Sequence, residues 1–369
     1  MRVLALLTDA FGGDGGIALY NCDLLTAMCA HPVCEEVVAI PRLMAHPCEP
    51  LPGKLNYVTG GIDGKSRYIA TVVRTVRKNP RFDLIVCGHI NLLPIAWFLR
   101  RWLLVPLLLE IYGIDAWRPT GRWLTNILVN KIDAFVAISQ VTKTRFLEWT
   151  NLPECRGVVL PNAVHTEYFG PGLKIQNLLD RYRMKNKTVL MTVGRLSSDE
   201  RYKGIDETME VLPDLIESVP NIAYLIVGDG SDRQRLEEKA MSLGIADRVA
   251  FSGFVPEAEK ANHYRLADVY VMPSSGEGFG FVFLEAMACG IPVIASKRDG
   301  SREAVRDGQM GILVDPANRD EIKGAILKAL TLPRGTVPEG LAYFSYDNFK
   351  MRLHAIIDQV VGNSCAHCS

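Results

Sequence analysis

Glu277 and Glu285 stand eight positions apart in Ser275-Gly-Glu-Gly-Phe-Gly-Phe-Val-Phe-Leu-Glu285-Ala-Met-Ala-Cys-Gly-Ile-Pro-Val-Ile-Ala295. The apolar run Ala267 to Pro273 reads as a strand feeding this segment, the spacing after Gly280 predicts a helix, and Ile291 opens another strand. Glu277 then lies on a loop at the carboxyl end of a strand. Glu285 lies about one turn into the following helix, whose opening NH groups carry positive partial charge and suit a phosphate. Two carboxylates within about 10 Å by helix rise, with a bare helix start between them, make a cradle for a sugar attached to a nucleotide diphosphate. The carboxylates grip hydroxyls while the backbone grips phosphate. Glutamates scattered by chance on an exposed helix give the same spacing, but Gly276, Gly278 and Gly280 around Glu277 permit the close approach a ligand needs.

A second block, Thr192-Val-Gly194-Arg195-Leu196 followed by Lys203-Gly204, places an arginine at a strand end and a lysine in the loop or first turn beyond it. A planar fork and a movable point charge on one edge suit one diphosphate. A solvated surface pair is the alternative, and Arg201 in the intervening loop competes for the role. Ile226-Val-Gly228-Asp229-Gly230 is a strand ending in a turn, and Ser252-Gly253-Phe254-Val255-Pro256 is a loop after another strand. Near the amino terminus, Gly12-Gly13-Asp14-Gly15-Gly16 follows the first strand and is either a ligand-approach loop or a tight turn. It is not Gly-x-Gly-x-x-Gly, and the second strand ends Val38-Ala39-Ile40-Pro41-Arg42 without the acidic residue that holds an NAD ribose.

These loops need strands to carry them. Strand, turn and helix alternate: Val3 to Leu7, a helix near Ile17 to Cys29, then strands at Val37 to Ile40, Asp83 to Cys87, Val105 to Tyr112 and Ala134 to Ser139. Turn formers from Pro161 to Gly172 break the rhythm as a linker, and it restarts with Thr188 to Val193, Ile222 to Val227, Val249 to Phe251, Val269 to Met272 and Val293 to Ala295. Such alternation implies parallel sheets covered on both faces, and 369 residues exceed one ordinary core. The expected fold class is α/β, two doubly wound Rossmann-like domains facing a central cleft. Residues 1–165 form the first domain, completed by a C-terminal helix within 346–369, and residues 166–345 form the second.

The segment from Gly194 to Glu303 closely resembles the retaining GT-B glycosyltransferases of family 4, also described as glycosyl transferases group 1, and the likeness extends over nearly the whole chain. In that family a nucleotide-sugar donates its sugar to an acceptor hydroxyl. The resemblance implies a metal-independent hexosyltransferase without a cofactor, in which Arg195 and Lys203 neutralise the leaving nucleotide and Glu277 holds the transferred sugar. It also implies donor contacts from Gly13, Gly15 or Gly16, from Gly194, Gly228, Phe254, Val255, Gly278, Phe279, Gly280, Phe281 and Val282, and from Glu285 to the ribose. In Glu110-Ile-Tyr112-Gly-Ile-Asp115-Ala-Trp117, Tyr112 stands where many relatives carry a histidine near the sugar. A phenol donates and accepts hydrogen bonds but does not titrate near neutrality. Asp115 either orients the acceptor or caps the next helix, so Tyr112 and Asp115 are acceptor-side candidates.

Composition sets the outer limits. The 41 Lys and Arg balance 41 Asp and Glu, which argues against a nucleic-acid partner recruited by bulk charge. The nine cysteines are scattered and odd in number, as reduced core thiols are, and Cys365-Ala-His-Cys368 lacks the second pair a zinc site requires. The chain opens on an apolar strand without signal-peptide features, so a cytoplasmic location is expected. Lys65 to Arg81 carries six basic and no acidic residues at amphipathic spacing, which reads either as a solvated helix face or as a peripheral contact with an anionic membrane at its inner face. The donor expectation is a UDP-hexose first and GDP-mannose second, with a glycan, lipid-linked or small-molecule acceptor. A non-catalytic nucleotide-sugar-binding protein or partner subunit is the alternative, and an NAD-dependent oxidoreductase stands behind it.

Overall fold

The computed structural model describes residues 1–47 and 50–366, with side chains to residue 362. Cys48 and the Cys365-Ala-His-Cys368 motif lie outside the described side chains. The chain divides into two compact units, Met1–Ala163 with Tyr346–Ser369, and Val164–Ser345.

The first unit runs β1 (Arg2–Leu7), α1 (Gly16–Cys29), β2 (Glu36–Pro41), β3 (Leu55–Tyr57), α2 (Lys65–Lys78), β4 (Leu84–Gly88), α3 (Leu93–Leu103), β5 (Leu107–Ile111), α4 (Trp123–Val129), β6 (Ala134–Ala137), α5 (Gln140–Leu147) and β7 (Gly157–Val159). The second runs α6 (Gln176–Arg181), β8 (Thr188–Val193), α7 (Ile205–Ser218), β9 (Ile222–Val227), α8 (Arg233–Ser242), β10 (Val249–Phe251), α9 (Glu257–Tyr264), β11 (Val269–Val271), α10 (Phe281–Ala288), β12 (Val293–Ser296), α11 (Ser301–Ala304), β13 (Ile312–Val314) and α12 (Arg319–Ala329). The terminal α13 (Tyr346–Ala366) belongs to the first unit and packs on α1.

Both sheets are wholly parallel. Their orders are β3-β2-β1-β4-β5-β6-β7 and β10-β9-β8-β11-β12-β13. Apolar strands such as Val3 to Leu7 and Ile222 to Val227 are buried along their length because helices cover both faces. Each unit is therefore a doubly wound Rossmann-like domain, as the alternation predicts. The strand order reverses between β1 and β4 and again between β8 and β11, and loops leaving the carboxyl ends at such a reversal diverge to leave a crevice for ligands.

Three strands escaped the sequence reading: β3, β7 and β13, each three residues long at a sheet edge. The greasy stretch from Leu92 to Leu109 resolves into α3 and β5, and no helix among the described residues is long and apolar enough to cross a membrane.

Candidate functional site

In the second unit the reversal point gathers the charged loops. Arg195 follows β8, Lys203 ends the 3-10 turn Ser198–Lys203 that leads into α7, and Glu277 lies on the loop between β11 and α10. Lys203 Nζ stands 3.8 Å from Glu277 Oε2 and 3.2 Å from Glu200 Oε2. Arg195 donates from Nε to Glu200 Oε1 at 2.9 Å, and its NH2 donates to the same oxygen. Glu200 thus takes the charge of both basic residues, and sequence reasoning missed it. The available signal was the acidic pair Asp199-Glu200 just before the lysine, inside a loop already read as anion-binding.

Charge balance follows from this clustering. Burial opposes the charge on Lys203, but Glu277, Tyr202 and Glu200 outweigh it and hold the ammonium above its ordinary value. Burial raises Glu277 despite Lys203. For Glu200 burial is overcome by Lys203 and Arg195, so the carboxyl sits below its usual range. Arg201 turns away to Asp232 at 2.8 Å, where Arg235 also binds, so the competitor for the diphosphate role belongs to a buttress under the turn.

The glycines of this quarter are mainly devices of close packing. A Cβ on Gly228, where φ is 141°, would lie 1.9 Å from the Gly194 carbonyl oxygen, and one on Gly230 would lie 2.1 Å from that of Leu196. Gly228 and Gly230 therefore let the loop after β9 rest on the loop that aims Arg195. Gly194 in turn leaves room for the Lys203 stem, whose Cδ is 3.0 Å from where a Cβ would be.

Asp299, fully buried, fixes the Glu277 loop. Its Oδ2 accepts from the Glu277 backbone NH at 2.8 Å and from Ser274 Oγ at 2.7 Å, while Oδ1 accepts from Ser301. Gly280 caps α10 in the left-handed region, φ 83°, with no side-chain hydrogen bond to the helix start. Gly278 is buried, with its carbonyl against Gly300. Phe279 is a core residue edge-on to Phe344, so only its backbone is available. Phe281 and Val282 are half-buried in the first turn.

Glu285 occupies a separate niche. It is 4% exposed, accepts from Tyr264 Oη at 2.6 Å, and burial pushes its carboxyl up to about 7 against the opposing pull of Lys260. Lys260 pairs with Glu257 at 2.6 Å and lies over the Phe281 ring. The loop between β10 and α9 presents an exposed Phe254 and a buried Val255.

The first unit holds the remaining candidates. Gly15 has φ 87° with open space where a side chain would be, whereas a Cβ on Gly13 would press on Asp9 and Ala18, and Gly16 begins α1. Tyr112, 8% exposed, points its hydroxyl inward to Glu110 Oε2 at 2.8 Å, Asn21 Oδ1 at 2.9 Å and the Gly88 carbonyl at 3.0 Å. One phenolic proton cannot serve three acceptors. Burial raises Glu110 to about 7 against the lowering effect of the Tyr112 hydrogen bond, so carboxyl and phenol share protons at this contact. Asp115 Oδ1 accepts from the Tyr112 backbone NH at 3.2 Å, and burial raises the carboxyl to about 7. It closes the 112–115 turn and caps no helix, since the next helix starts at Trp123. His89, at the carboxyl end of β4, was also missed; burial, then Arg42 and Arg122, lower it to about 4 and keep the imidazole neutral. Among the described residues no group of three or more His, Cys, Asp or Glu is placed to hold a metal ion.

Comparison with known proteins adds the context. Residues 179–346 match the family model "Glycosyl transferases group 1", and residues 15–168 match "Glycosyltransferase Family 4". The GDP-mannose-dependent alpha-(1-6)-phosphatidylinositol monomannoside mannosyltransferase of Mycolicibacterium smegmatis is 33% identical over 63% of this chain, and the match spans 63% of that enzyme's own length. The D-inositol 3-phosphate glycosyltransferase of Segniliparus rotundus is 27% identical over 90% of this chain and 82% of its own. Among solved structures, Anabaena HepE in complex with UDP superposes with a TM-score of 0.76 at 21% identity, covering 97% of this chain and all of that one.

Proposed function

We propose that this chain, which belongs to the group 1 and family 4 glycosyltransferases of GT-B fold, moves a hexose from a nucleotide-diphosphate sugar to an acceptor hydroxyl with retention at the anomeric carbon. The convergence of Arg195, Lys203 and Glu277 on the loops at the β8/β11 reversal supports this most. In this reading the bond between the anomeric carbon and the diphosphate breaks with its electron pair going to the phosphate oxygen. The acceptor oxygen attacks from the same face, and its proton passes to the departing phosphate. Arg195, Lys203 and the bare start of α10 stabilise the developing negative charge. Because those groups already supply positive charge, no divalent ion is needed.

Glu277 holds hydroxyls of the transferred sugar, and Glu285, with one oxygen engaged by Tyr264, holds the ribose through the other. The backbone around Phe254 and Val255 meets the base, Gly15 offers a bare backbone, and Tyr112 and Asp115 shape the acceptor side from the first unit. Glu200 holds the place of the diphosphate until the donor displaces it. The Mycolicibacterium relative's GDP-mannose dependence moves GDP-mannose ahead of the UDP-hexose that the sequence favoured, and a lipid-linked acceptor ahead of a free sugar. The exposed basic face of α2 gives such an acceptor's anionic membrane a surface to meet.

A non-catalytic nucleotide-sugar-binding role is the second reading, favoured by the Tyr112 hydroxyl being tied inside the protein. Incubation with GDP-mannose and UDP-glucose in the presence of a chelator distinguishes the two. Release of nucleoside diphosphate, by transfer or slow hydrolysis, is expected. Binding without turnover would favour the second reading, and turnover restored only by magnesium or manganese would overturn metal independence.

A further inference from the structure

The outer surface of the first unit carries apolar side chains that its own core does not use. Helices α2, α3 and α4 feed one buried cluster on one face of the sheet, through Val72 and Val76, Leu93, Ala96 and Leu99, and Leu128 and Val129. Behind those inward stripes, α3 and α4, which pack against each other, are apolar on the outside as well. Phe98 is 61% exposed, Trp123 is 74% exposed, and Trp102, Leu124 and Ile127 are exposed with them. Large apolar side chains on the outer as well as the inner face of a helix are expected where that outer face is covered, not where it meets water.

Leu104 strengthens the point. It ends α3 in the left-handed region at φ 57°, where glycine is the usual residue, and it is 82% exposed. A bulky side chain is thus kept in an unfavourable backbone state while facing solvent.

The charge around this ridge has one sign. Arg101, Arg118, Arg122 and Lys131 are exposed beside it, and residues 116–132 contain no acid. Of the carboxylates that bracket this stretch, Asp133 is bound by Arg100 at 2.6 Å and Asp115 accepts from the Tyr112 backbone NH. Neither α2 nor α3 contains an acidic residue, and α2 adds Lys65, Arg67, Arg74, Arg77 and Lys78. Two copies meeting through such a face would repel, whereas anionic headgroups would be attracted. Exposed Trp and Phe flanked by Arg and Lys match the amphipathic chemistry of a bilayer interface.

We infer that the α3–α4 ridge inserts Phe98, Trp102, Leu104, Trp123 and Ile127 into the headgroup region of an anionic phospholipid bilayer, with α2 supplying long-range attraction. This deepens the membrane contact in the proposed function but does not rest on the transfer reaction. Two modes of binding then coexist: a salt-sensitive one from α2 and a salt-resistant one from the ridge.

The test is co-sedimentation of the full chain with vesicles of phosphatidylcholine alone and of phosphatidylcholine with phosphatidylglycerol in equal parts. The native protein is expected to bind the anionic vesicles and to keep part of that binding in high salt. The triple variant Phe98→Ser/Trp123→Ser/Ile127→Ser should partition at least about tenfold more weakly, and lose the salt-resistant fraction, because interfacial binding scales with buried apolar area. Arg74→Gln/Arg77→Gln should lose mainly the salt-sensitive fraction. Tryptophan emission should be quenched by brominated lipid in the native protein and much less in Trp102→Phe/Trp123→Phe. Equal vesicle binding by the native and triple-serine proteins would overturn the inference. So would a native dimer that the triple variant converts to monomer without loss of vesicle binding, which would identify a protein interface. Unchanged melting and unchanged GDP affinity in the variant separate this result from misfolding and from failure of the donor-site reading.

Discussion

Replacing Glu200 by Gln tests the arrangement of the donor site most directly, because the expected change runs opposite to that for a simple binding residue. The carboxylate lies 3.2 Å from Lys203 Nζ, and both side chains are 14% exposed; it also accepts from Arg195, whose side chain is 74% exposed. At an effective dielectric of about 20, the closer pair is worth roughly 5 kcal/mol before desolvation is subtracted. Desolvation removes most of that, and the Arg195 side contributes at most about 1 kcal/mol because it is solvated. A diphosphate that must displace or tolerate this anion therefore binds with a deficit of about 1 to 2 kcal/mol, which is a factor of roughly 5 to 30. Glu200→Gln keeps the shape and the hydrogen-bonding ability and removes the competing charge. Titration calorimetry with GDP and with UDP should accordingly show dissociation constants 5- to 30-fold lower, by the same estimate. A variant that melts normally yet binds both nucleotides more weakly than the native protein would refute the reasoning. Glu200 would then be holding Arg195 and Lys203 in place for the ligand.

Lys203→Ala should weaken GDP binding more than Arg195→Ala, by about 1.5 to 3 kcal/mol for a charge-assisted contact, and calorimetry should rank them so because only Lys203 is also near Glu277. Glu277→Gln should lower turnover with little effect on the donor's KM, since the charge it loses matters most as positive character develops at the anomeric carbon. Glu285→Gln should instead raise the donor's KM; in the native enzyme, KM should fall as pH rises through about 7 and the carboxyl ionises, a dependence the variant should lack. Glu110→Gln should flatten the pH dependence of urea unfolding: the folded state keeps a proton to about pH 7 that the unfolded chain releases near 4.5, so native stability falls across that window by up to about 3 kcal/mol.

What the sequence disclosed depended on whether function was written in side chains or in backbone. Arg195, Lys203, Glu277 and Glu285 were legible because strand, loop and helix periods fix where each falls, and the structure places each on the element expected. Gly194 and Gly228 were legible as special positions but not in their role. Only the tertiary approach of one loop to another, 1.9 Å between a hypothetical Cβ and a carbonyl oxygen, shows that Gly228 supports the Arg195 loop. Glu200 and Asp299 were invisible for a related reason. Each acts on partners brought near by the strand order, and an acid in a polar loop has no period to announce it.

The acceptor side was harder to read, and Tyr112 shows why. Its type alone suggested a weak stand-in for a titrating group. Its position two residues after Glu110 carried more information, since residues two apart on a strand share a face. A carboxyl and a phenol placed on one buried face must share protons, and the outcome is a Glu110 raised to about 7 beside a phenol whose hydroxyl is held by Glu110, Asn21 and Gly88. Tyr112 is then a structural hydroxyl at the carboxyl end of β5, and the imidazole in that unit at a strand's carboxyl end is His89, held neutral by burial and by Arg42 and Arg122. Neither group is suited to take up a proton near neutrality, since the phenol keeps its own and the imidazole is held neutral. In the proposed transfer the acceptor's proton therefore passes to the leaving diphosphate, and the demand for catalytic power falls on the loops that steady its charge.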